Sequence, residues 1–362
     1  MHGRTLSVER NELWLAALSK VAPGTRLRDG LDRIVRAKMG ALVVLGDDPD
    51  VLAICSGGFL LDAPFTPQRL SELAKMDGAI ILAADGQRIA RANVHLVPDP
   101  SVPTSETGTR HRTAERVARS IRVPVVSVSE EMSVIAVYVA ETKHQLQEVG
   151  RLLDRANQAL QTLERYRARL DDAMANLTTL ELEDVVTLRD VATVIQRAEM
   201  VHRIADEIET MIVELGVDAR LLRLQLDEVY SDVAPDLDLV IKDYLSPGCE
   251  RTVPEVLTSL AVLDDDDVLE LRKAAATLQL PCGTADLDHP LSPRGERLLN
   301  RVPRLGKGVA AAVAEHFGDL SKLLRATVGD LCKVDGVNEV RAVAIKDALS
   351  RLTEESILDQ YS

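Results

Sequence analysis

Apolar and polar positions along this chain follow three different patterns in turn. Over the first 140 residues, short apolar runs rich in Val and Ile predict strands: ALVVLG (41–46), VLAICS (51–56), AIILAA (79–84), VPVVSVS (123–129) and VIAVYVA (134–140). Amphipathic stretches near 7–20, 26–38, 66–75 and 109–121 predict helices. The alternation implies an α/β domain whose helices cover a central sheet.

From about residue 142 the period lengthens. Leu146, Val149, Leu153, Ala156, Leu160, Leu163, Tyr166, Leu170, Met174 and Leu177 step by three or four, which predicts one long amphipathic helix. A second stripe runs Val191, Val194, Ile195, Ala198, Val201, Ile204, Ile208 and Ile212, and no Gly or Pro falls between Arg151 and Glu214. Such stripes serve packing within the chain, or contact between copies, since the spacing is also that of a coiled coil. Pro and Gly return in SPGCERTVP (246–254) and PCGTADLDHPLSPRG (281–295). The second cluster reads as a linker, with a compact helical tail beyond it.

The chain has 362 residues, 46% of them hydrophobic and 28% charged, which is ordinary globular material. Aromatics make up only 2%, so Leu, Val, Ile and Ala must build the core, and base stacking has little support. No apolar run reaches the roughly 18 residues of a membrane span. The opening MHGRTLSVERNELW lacks the apolar stretch of a signal peptide, and a cytoplasmic location is expected. Cys55, Cys249, Cys282 and Cys332 form no CxxC pair, so reduced, structural thiols are expected. The net charge is −14, yet Pro293–Leu352 carries +4, leaving an acidic body and a mildly basic tail. LDDDDVLEL (263–271) is the one dense acidic run and reads as a solvated face or a helix start.

Within the tail, RVPRLGKGVAAAVAEHFGDLSKLL (301–324) and KVDGVNEVRAVAIKDALSRL (333–352) share a plan: an apolar residue, a Gly-containing turn, an Ala-rich helix. The pair is similar to a tandem helix-hairpin-helix domain, in which small turn residues let backbone N–H groups meet a DNA phosphate. Arg304-Leu305-Gly306 lacks the first Gly of that pattern and Gly336-Val337-Asn338 the second, where Asn is expected to accept a positive φ. Arg304, Gly306, Lys307, Gly308, Gly336 and Asn338 are therefore the candidate DNA contacts; the plainer reading is of turns joining helices in a small helical domain.

In the head there is no GxxxxGK[ST], no GxGxxG after a strand and no HExxH. Two clusters remain. In KMDGAIILAADG (75–86), Asp77 precedes an apolar strand; its carboxylate suits a hydroxyl or a divalent metal, and Gly78 and Ala79 leave room for a ligand. Taken alone it also fits an ordinary Asp-Gly turn. In GTRHRTAERVARS (108–120), Gly108 permits a tight turn, Thr109 suits an N-cap, and Arg110, His111 and Arg112 crowd a helix start. The helix dipole disfavours cations there unless an anion binds; otherwise the stretch is a solvated basic helix start.

MDGAIIL together with ANVHLVPDPSVPTSETGTRHRTAERVARS resembles the diadenylate cyclase family, whose hallmarks are an Asp-Gly-Ala and an Arg-His-Arg motif. With a helical spine and a helix-hairpin-helix tail behind it, the resemblance covers the whole chain. It implies a cyclase domain over 1–145 with a mixed sheet flanked by helices, an all-α spine over 146–288, and an all-α DNA-binding domain over 289–362. The implied reaction condenses two ATP into cyclic di-AMP and two pyrophosphates between facing subunits. Asp77, Arg110, His111 and Arg112 would be catalytic, and Asp77 would touch the 3′-hydroxyl or a Mg²⁺ or Mn²⁺ ion. Gly78, Ala79, Leu96 at a strand end, Thr109, Arg110, His111, Arg112 and Thr113 would hold ATP, with Ser129 and Glu130 as further polar support. Also implied are a homo-octamer, a nucleoid-associated cytoplasmic location, DNA-recombination proteins as partners, and branched DNA that suppresses synthesis; the helices of 142–215, which join both ends, are expected to carry the coupling. The alternatives are a non-catalytic DNA-structure sensor with a nucleotide-binding head, and a helix-hairpin-helix DNA-repair enzyme.

Overall fold

The computed structural model describes residues 2–245 and 251–359, so Cys249 and residues 246–250 of the first Pro/Gly cluster lie outside the described residues. The chain divides into two compact units: Met1–Gln158 with Ile208–Leu224, and Ala159–Glu207 with Gln225–Ser362.

The first unit opens with α1 (His2–Val21), α2 (Arg26–Arg36), β1 (Ala41–Leu45), α3 (Pro49–Ala53), β2 (Cys55–Ser56), β3 (Phe59–Pro64), α4 (Pro67–Leu73), β4 (Ala79–Leu82) and β5 (Arg88–Leu96). It continues with α5 (Thr109–Ile121), β6 (Val125–Val128), β7 (Ile135–Val139) and β8 (Thr142–Gln145). The strands form one sheet in the order β2-β5-β4-β1-β6-β7-β8, with β3 also paired to β5. β1 and β4 run parallel and the other pairings are antiparallel, so the sheet is mixed. Alternate side chains serve two cores. Val43, Leu45, Ile80 and Val126 meet Val21, Leu31 and Leu70 on one face. Leu42, Val44, Ile81 and Val125 meet Ala114, Val117 and Ala118 of α5 on the other. Burial on both faces is why these strands read as unbroken apolar runs.

Several expectations need correction. The run 51–56 is not one strand: Pro49 at a helix start directs Pro49–Ala53 into α3, and only Cys55 and Ser56 join the sheet. β3 and β8 went unrecognised as strands, and β5 was anticipated only at its end, Leu96, because polar positions interrupt their apolar pattern. The long helix begins not at 142 but at Val149, because β8 holds Thr142–Gln145 and Leu146 packs on the head's own core.

The remainder is helical: α6 (Val149–Glu183), α7 (Leu188–Leu215), a short 3-10 turn, α8 (Arg220–Tyr230), α9 (Val233–Tyr244), α10 (Val253–Val262), α11 (Asp265–Leu269) and α12 (Leu271–Ala276). Asp184 in the left-handed region ends α6 without a Gly, and the Asp190 carboxylate takes the Thr187 N–H at 2.9 Å to start α7. Val191, Ile195, Ala198 and Val201 are buried within the single chain, so this stripe is intramolecular packing. The acidic run starts α11, with Asp264 accepting from the Asp267 N–H at 2.7 Å.

The tail follows as α13 (Glu296–Asn300), α14 (Lys307–Phe317), α15 (Leu320–Arg325), α16 (Val328–Leu331) and α17 (Glu339–Asp359), around a core that includes Leu298, Val313, Leu323, Leu331 and Ile345. It is tied into the second unit by polar groups. Arg297 is buried and pairs with Glu181, the Tyr244 hydroxyl donates to Glu181 at 2.7 Å, and the Asp243 carboxylate accepts from the Glu296 N–H at 2.7 Å and the Arg297 N–H at 3.0 Å. Cys55, Cys282 and Cys332 are free thiols; Cys55 is half-buried and packs against the core beneath α5, Cys282 is half-buried, and Cys332 is exposed. Among the described residues no helix is long and apolar enough to cross a membrane.

Candidate functional site

The site is built around the first turn of α5. Gly108, not Thr109, takes the N-cap position, with an extended backbone and no side-chain cap. Its carbonyl accepts the Arg112 N–H at 2.9 Å, and Thr113 Oγ1 donates to the Thr109 carbonyl at 2.9 Å. The turn's leading N–H groups stay without a capping side chain, which favours an anion. The preceding loop is clamped from α5 itself. Glu115, which is buried, accepts from Thr104 Oγ1 at 2.5 Å and the Ser105 N–H at 3.0 Å, while Arg116 Nε donates to the Val102 carbonyl at 3.0 Å.

In front of this turn lies a cleft of about 660 Å³. Asp77, Ala79, Leu96, Thr109, Arg110, His111, Thr113, Ser129 and Glu130 line it, so the two sequence clusters share one cavity. Arg110 Nη2 donates to Asp77 Oδ1 at 2.7 Å, and Nη1 lies 3.9 Å from Glu130 Oε2. These carboxylates offset one of the cations that crowd the helix start. The Asp77 carboxylate is 94% exposed, so it is free to change partner.

His111 faces the cleft from α5 while its Nδ1 points into the protein. Nδ1 lies 2.8 Å from the Tyr138 hydroxyl and 2.9 Å from Ser127 Oγ. Burial, with Lys143 and Arg110 nearby, lowers the imidazole pKa despite the opposing Glu106 charge. Burial also pushes the Tyr138 hydroxyl well above its usual value, and Glu106 adds to that as a charge and as a hydrogen-bond partner.

Two expected residues do not line the cleft. Arg112, next along the helix, is exposed and is not part of the lining. Gly78 is small for a reason other than ligand access: a Cβ there would sit 2.4 Å from the Asn93 carbonyl carbon and 2.7 Å from the Val94 nitrogen, so β5 itself fills the space. The sequence reading missed Gly40, where a Cβ would sit 2.2 Å from Arg110 Nη1, and His95 and Glu131 of the lining. It also missed Tyr138 and Glu106; Tyr138 sits in a run legible only as a strand. Among the described residues no group of three or more His, Cys, Asp or Glu is gathered for a metal.

The candidate DNA contacts sit on the turns between α13 and α14 and between α16 and α17, with Lys307 and Gly308 opening α14 itself. Leu305 and Val337 are buried at matching positions, while Arg304, Gly306, Lys307, Gly308, Gly336 and Asn338 are exposed. Arg304 (φ 64°) and Gly336 (φ 84°) both take the left-handed region, so Arg304 adopts a conformation that favours glycine. Asn338 does not take a positive φ. It starts α17 instead, its Oδ1 accepting the Arg341 N–H at 2.9 Å, which is what an Asn side chain does at a helix start.

Residues 28–143 match the family described as the DisA bacterial checkpoint controller nucleotide-binding domain, and residues 146–286 match the DisA bacterial checkpoint controller linker region. The DNA integrity scanning protein DisA of Kineococcus radiotolerans is 54% identical over 97% of this chain and 98% of its own length. Its counterpart from Frankia alni is 53% identical over the same shares, and that of Streptomyces coelicolor 52% over 96% of this chain and 94% of its own.

Proposed function

From the premise that this chain belongs to the DisA family and carries its nucleotide-binding domain, we propose that it is a diadenylate cyclase. It condenses two ATP into cyclic di-AMP and two pyrophosphates, and branched DNA held by its tail suppresses the synthesis. One observation carries the cyclase reading: the uncapped start of α5, Arg110 and the exposed Asp77 carboxylate converge on one cleft. Phosphoryl transfer is catalysed chiefly by positioning and charge neutralisation, and these groups supply both.

ATP phosphates occupy the α5 N–H groups with Thr109 and Thr113, and Arg110 turns from Asp77 to a phosphate, where a guanidinium binds bidentately. Asp77, released, holds a 3′-hydroxyl or a divalent cation. A single exposed carboxylate fits Mg²⁺ or Mn²⁺, which is commonly held by one or two carboxylates plus substrate phosphates, and the ion would neutralise phosphate charge. Ala79 and Leu96 line the nucleotide's path. Each attacking hydroxyl comes from the nucleotide of a facing subunit, so the protein works as a homo-oligomer, for which we propose the octamer. Gly306, Lys307, Gly308, Gly336 and Asn338 meet DNA phosphates as tandem helix-hairpin-helix turns; the exposed turns with buried Leu305 and Val337 support this.

Incubation with ATP and Mn²⁺ followed by chromatography tests the reading. Cyclic di-AMP with pyrophosphate is expected, and Asp77→Asn should abolish it while ATP still binds. ATP binding without turnover would instead mark a sensor, and cleaved DNA a repair enzyme.

A further inference from the structure

His111 stands in a row of cations, but its surroundings on α5, β6 and β7 give it a different character. Ser127 and Tyr138 are diagonal neighbours on the sheet face that α5 covers, since Val125 pairs with Tyr138 and Ser127 with Ala136. Both are buried, and both hydroxyls approach the same ring nitrogen, at 2.9 Å and 2.8 Å from Nδ1. A ring N–H can be shared between two oxygens, whereas the single in-plane lone pair of a bare nitrogen takes one donor well.

The tyrosine proton has a stronger acceptor elsewhere. The Glu106 carboxylate lies close enough to the Tyr138 hydroxyl to help raise its pKa. Glu106 also pairs with Lys143 at 2.5 Å, and Lys143 Nζ stands 5.9 Å from the centre of the Tyr138 ring. A carboxylate has about four acceptor positions, so the lysine leaves it capacity for the phenol. An ionised oxygen outcompetes a neutral imidazole for that proton. A Tyr138 hydroxyl that directs its proton toward Glu106 leaves its oxygen free to accept from His111.

We propose that Tyr138 and Ser127, backed by Glu106, are positioning residues that keep a proton on His111 Nδ1 and present the Nε2 lone pair to the cleft. His111 is then the cleft's proton acceptor rather than a third fixed cation. Arg110 cannot share that role, because a guanidinium does not give up its proton. The inference deepens the cyclase reading and rests on it for its catalytic consequence, but not for the tautomer.

The test is ¹⁵N NMR of the full-length protein labelled at histidine, near neutral pH and without nucleotide, with His111→Gln used to assign the resonances. The expected result is a protonated, pyrrole-type Nδ1 and an unprotonated, pyridine-type Nε2. The reverse tautomer, or an imidazolium, would overturn the proposal. Tyr138→Phe keeps the buried ring and removes the oxygen; with Ser127→Ala as a second, smaller change, it should shift the population away from the Nδ1–H form. In turnover, Tyr138→Phe should lower kcat by about 10²-fold, the low end for a positioned acid–base group, with KM for ATP little changed. An unmoved tautomer in both variants, or a change confined to KM, would remove the positioning role. The NMR result needs no turnover, so the expected tautomer in a chain that makes no cyclic dinucleotide would support this inference while sinking the cyclase reading.

Discussion

Two glycines near the cleft show how differently one added methyl group acts. At Gly78 the atoms in the way are backbone atoms of Asn93 and Val94, which cannot move without parting β4 from β5. Gly78→Ala should cost about 3 kcal/mol of stability, the upper range for overpacking, and a lowered thermal midpoint would register it. At Gly40 the atom in the way is the tip of a flexible side chain, Arg110 Nη1. Gly40→Ala should leave the thermal midpoint nearly unchanged but displace the guanidinium from its place in the cleft beside Asp77, from which it is proposed to reach a phosphate. Losing one charge-assisted hydrogen bond, about 1.5–3 kcal/mol, corresponds to a fall in ATP affinity of about tenfold or more. Calorimetric titration with ATP checks it, and unaltered affinity would show that Arg110 does not hold the nucleotide from this position.

The start of α13 makes a claim at the scale of an element. Burial pushes the Asp243 carboxyl from 3.8 up to about 7, although the N–H groups of Arg297 and Glu296 pull it back down. Between about pH 4 and pH 7 the folded group keeps a proton that the unfolded one has released, so the native state binds more protons and stability falls as the pH rises through that window. Asp243→Asn removes the titrating group and should flatten this decline, but its amide nitrogen cannot accept the second of the two N–H bonds. The variant's thermal midpoint should therefore lie below the wild type toward acid and draw closer to it toward neutral pH. The same helix shows why legibility was uneven. The two-sided strands β1, β4, β6 and β7 could be read because burial on both faces writes unbroken apolar runs, and the long helices α6 and α7 because one-sided burial writes a step of three or four. Asp77 and the α5 cluster could be read because their chemistry is local. α13 follows a Pro/Gly cluster that looked like a linker, and its anchors, Glu181 and Asp243, lie more than fifty residues upstream. Gly40, Glu106 and Tyr138 went unread for the same reason: each matters only through a partner that the fold brings to it.

At the scale of the whole molecule the charge division becomes a testable property. The chain is −14 overall, while Pro293–Leu352 is +4, so net attraction for a long polyanion such as DNA favours the tail and is opposed by the rest. The exposed turns offer N–H groups and Lys307 rather than a helix shaped to enter a groove, so binding should depend on backbone and shape, not on base sequence. Lys307→Ala should weaken binding to duplexes of different sequence by similar factors. If Lys307 meets one phosphate, the slope of log affinity against log salt should become shallower by about 1. Gly306→Ala acts otherwise: Gly306 holds φ 82° with nothing within 4 Å of a Cβ, so the added methyl strains the turn without a clash and should weaken binding while the salt slope changes little. Gel-shift titrations at several salt concentrations separate the two. Because neither residue lies in the cleft, both variants should make cyclic di-AMP at the wild-type rate without DNA and resist suppression by branched DNA. Full suppression of a variant that no longer binds DNA would place the regulatory contact outside these turns.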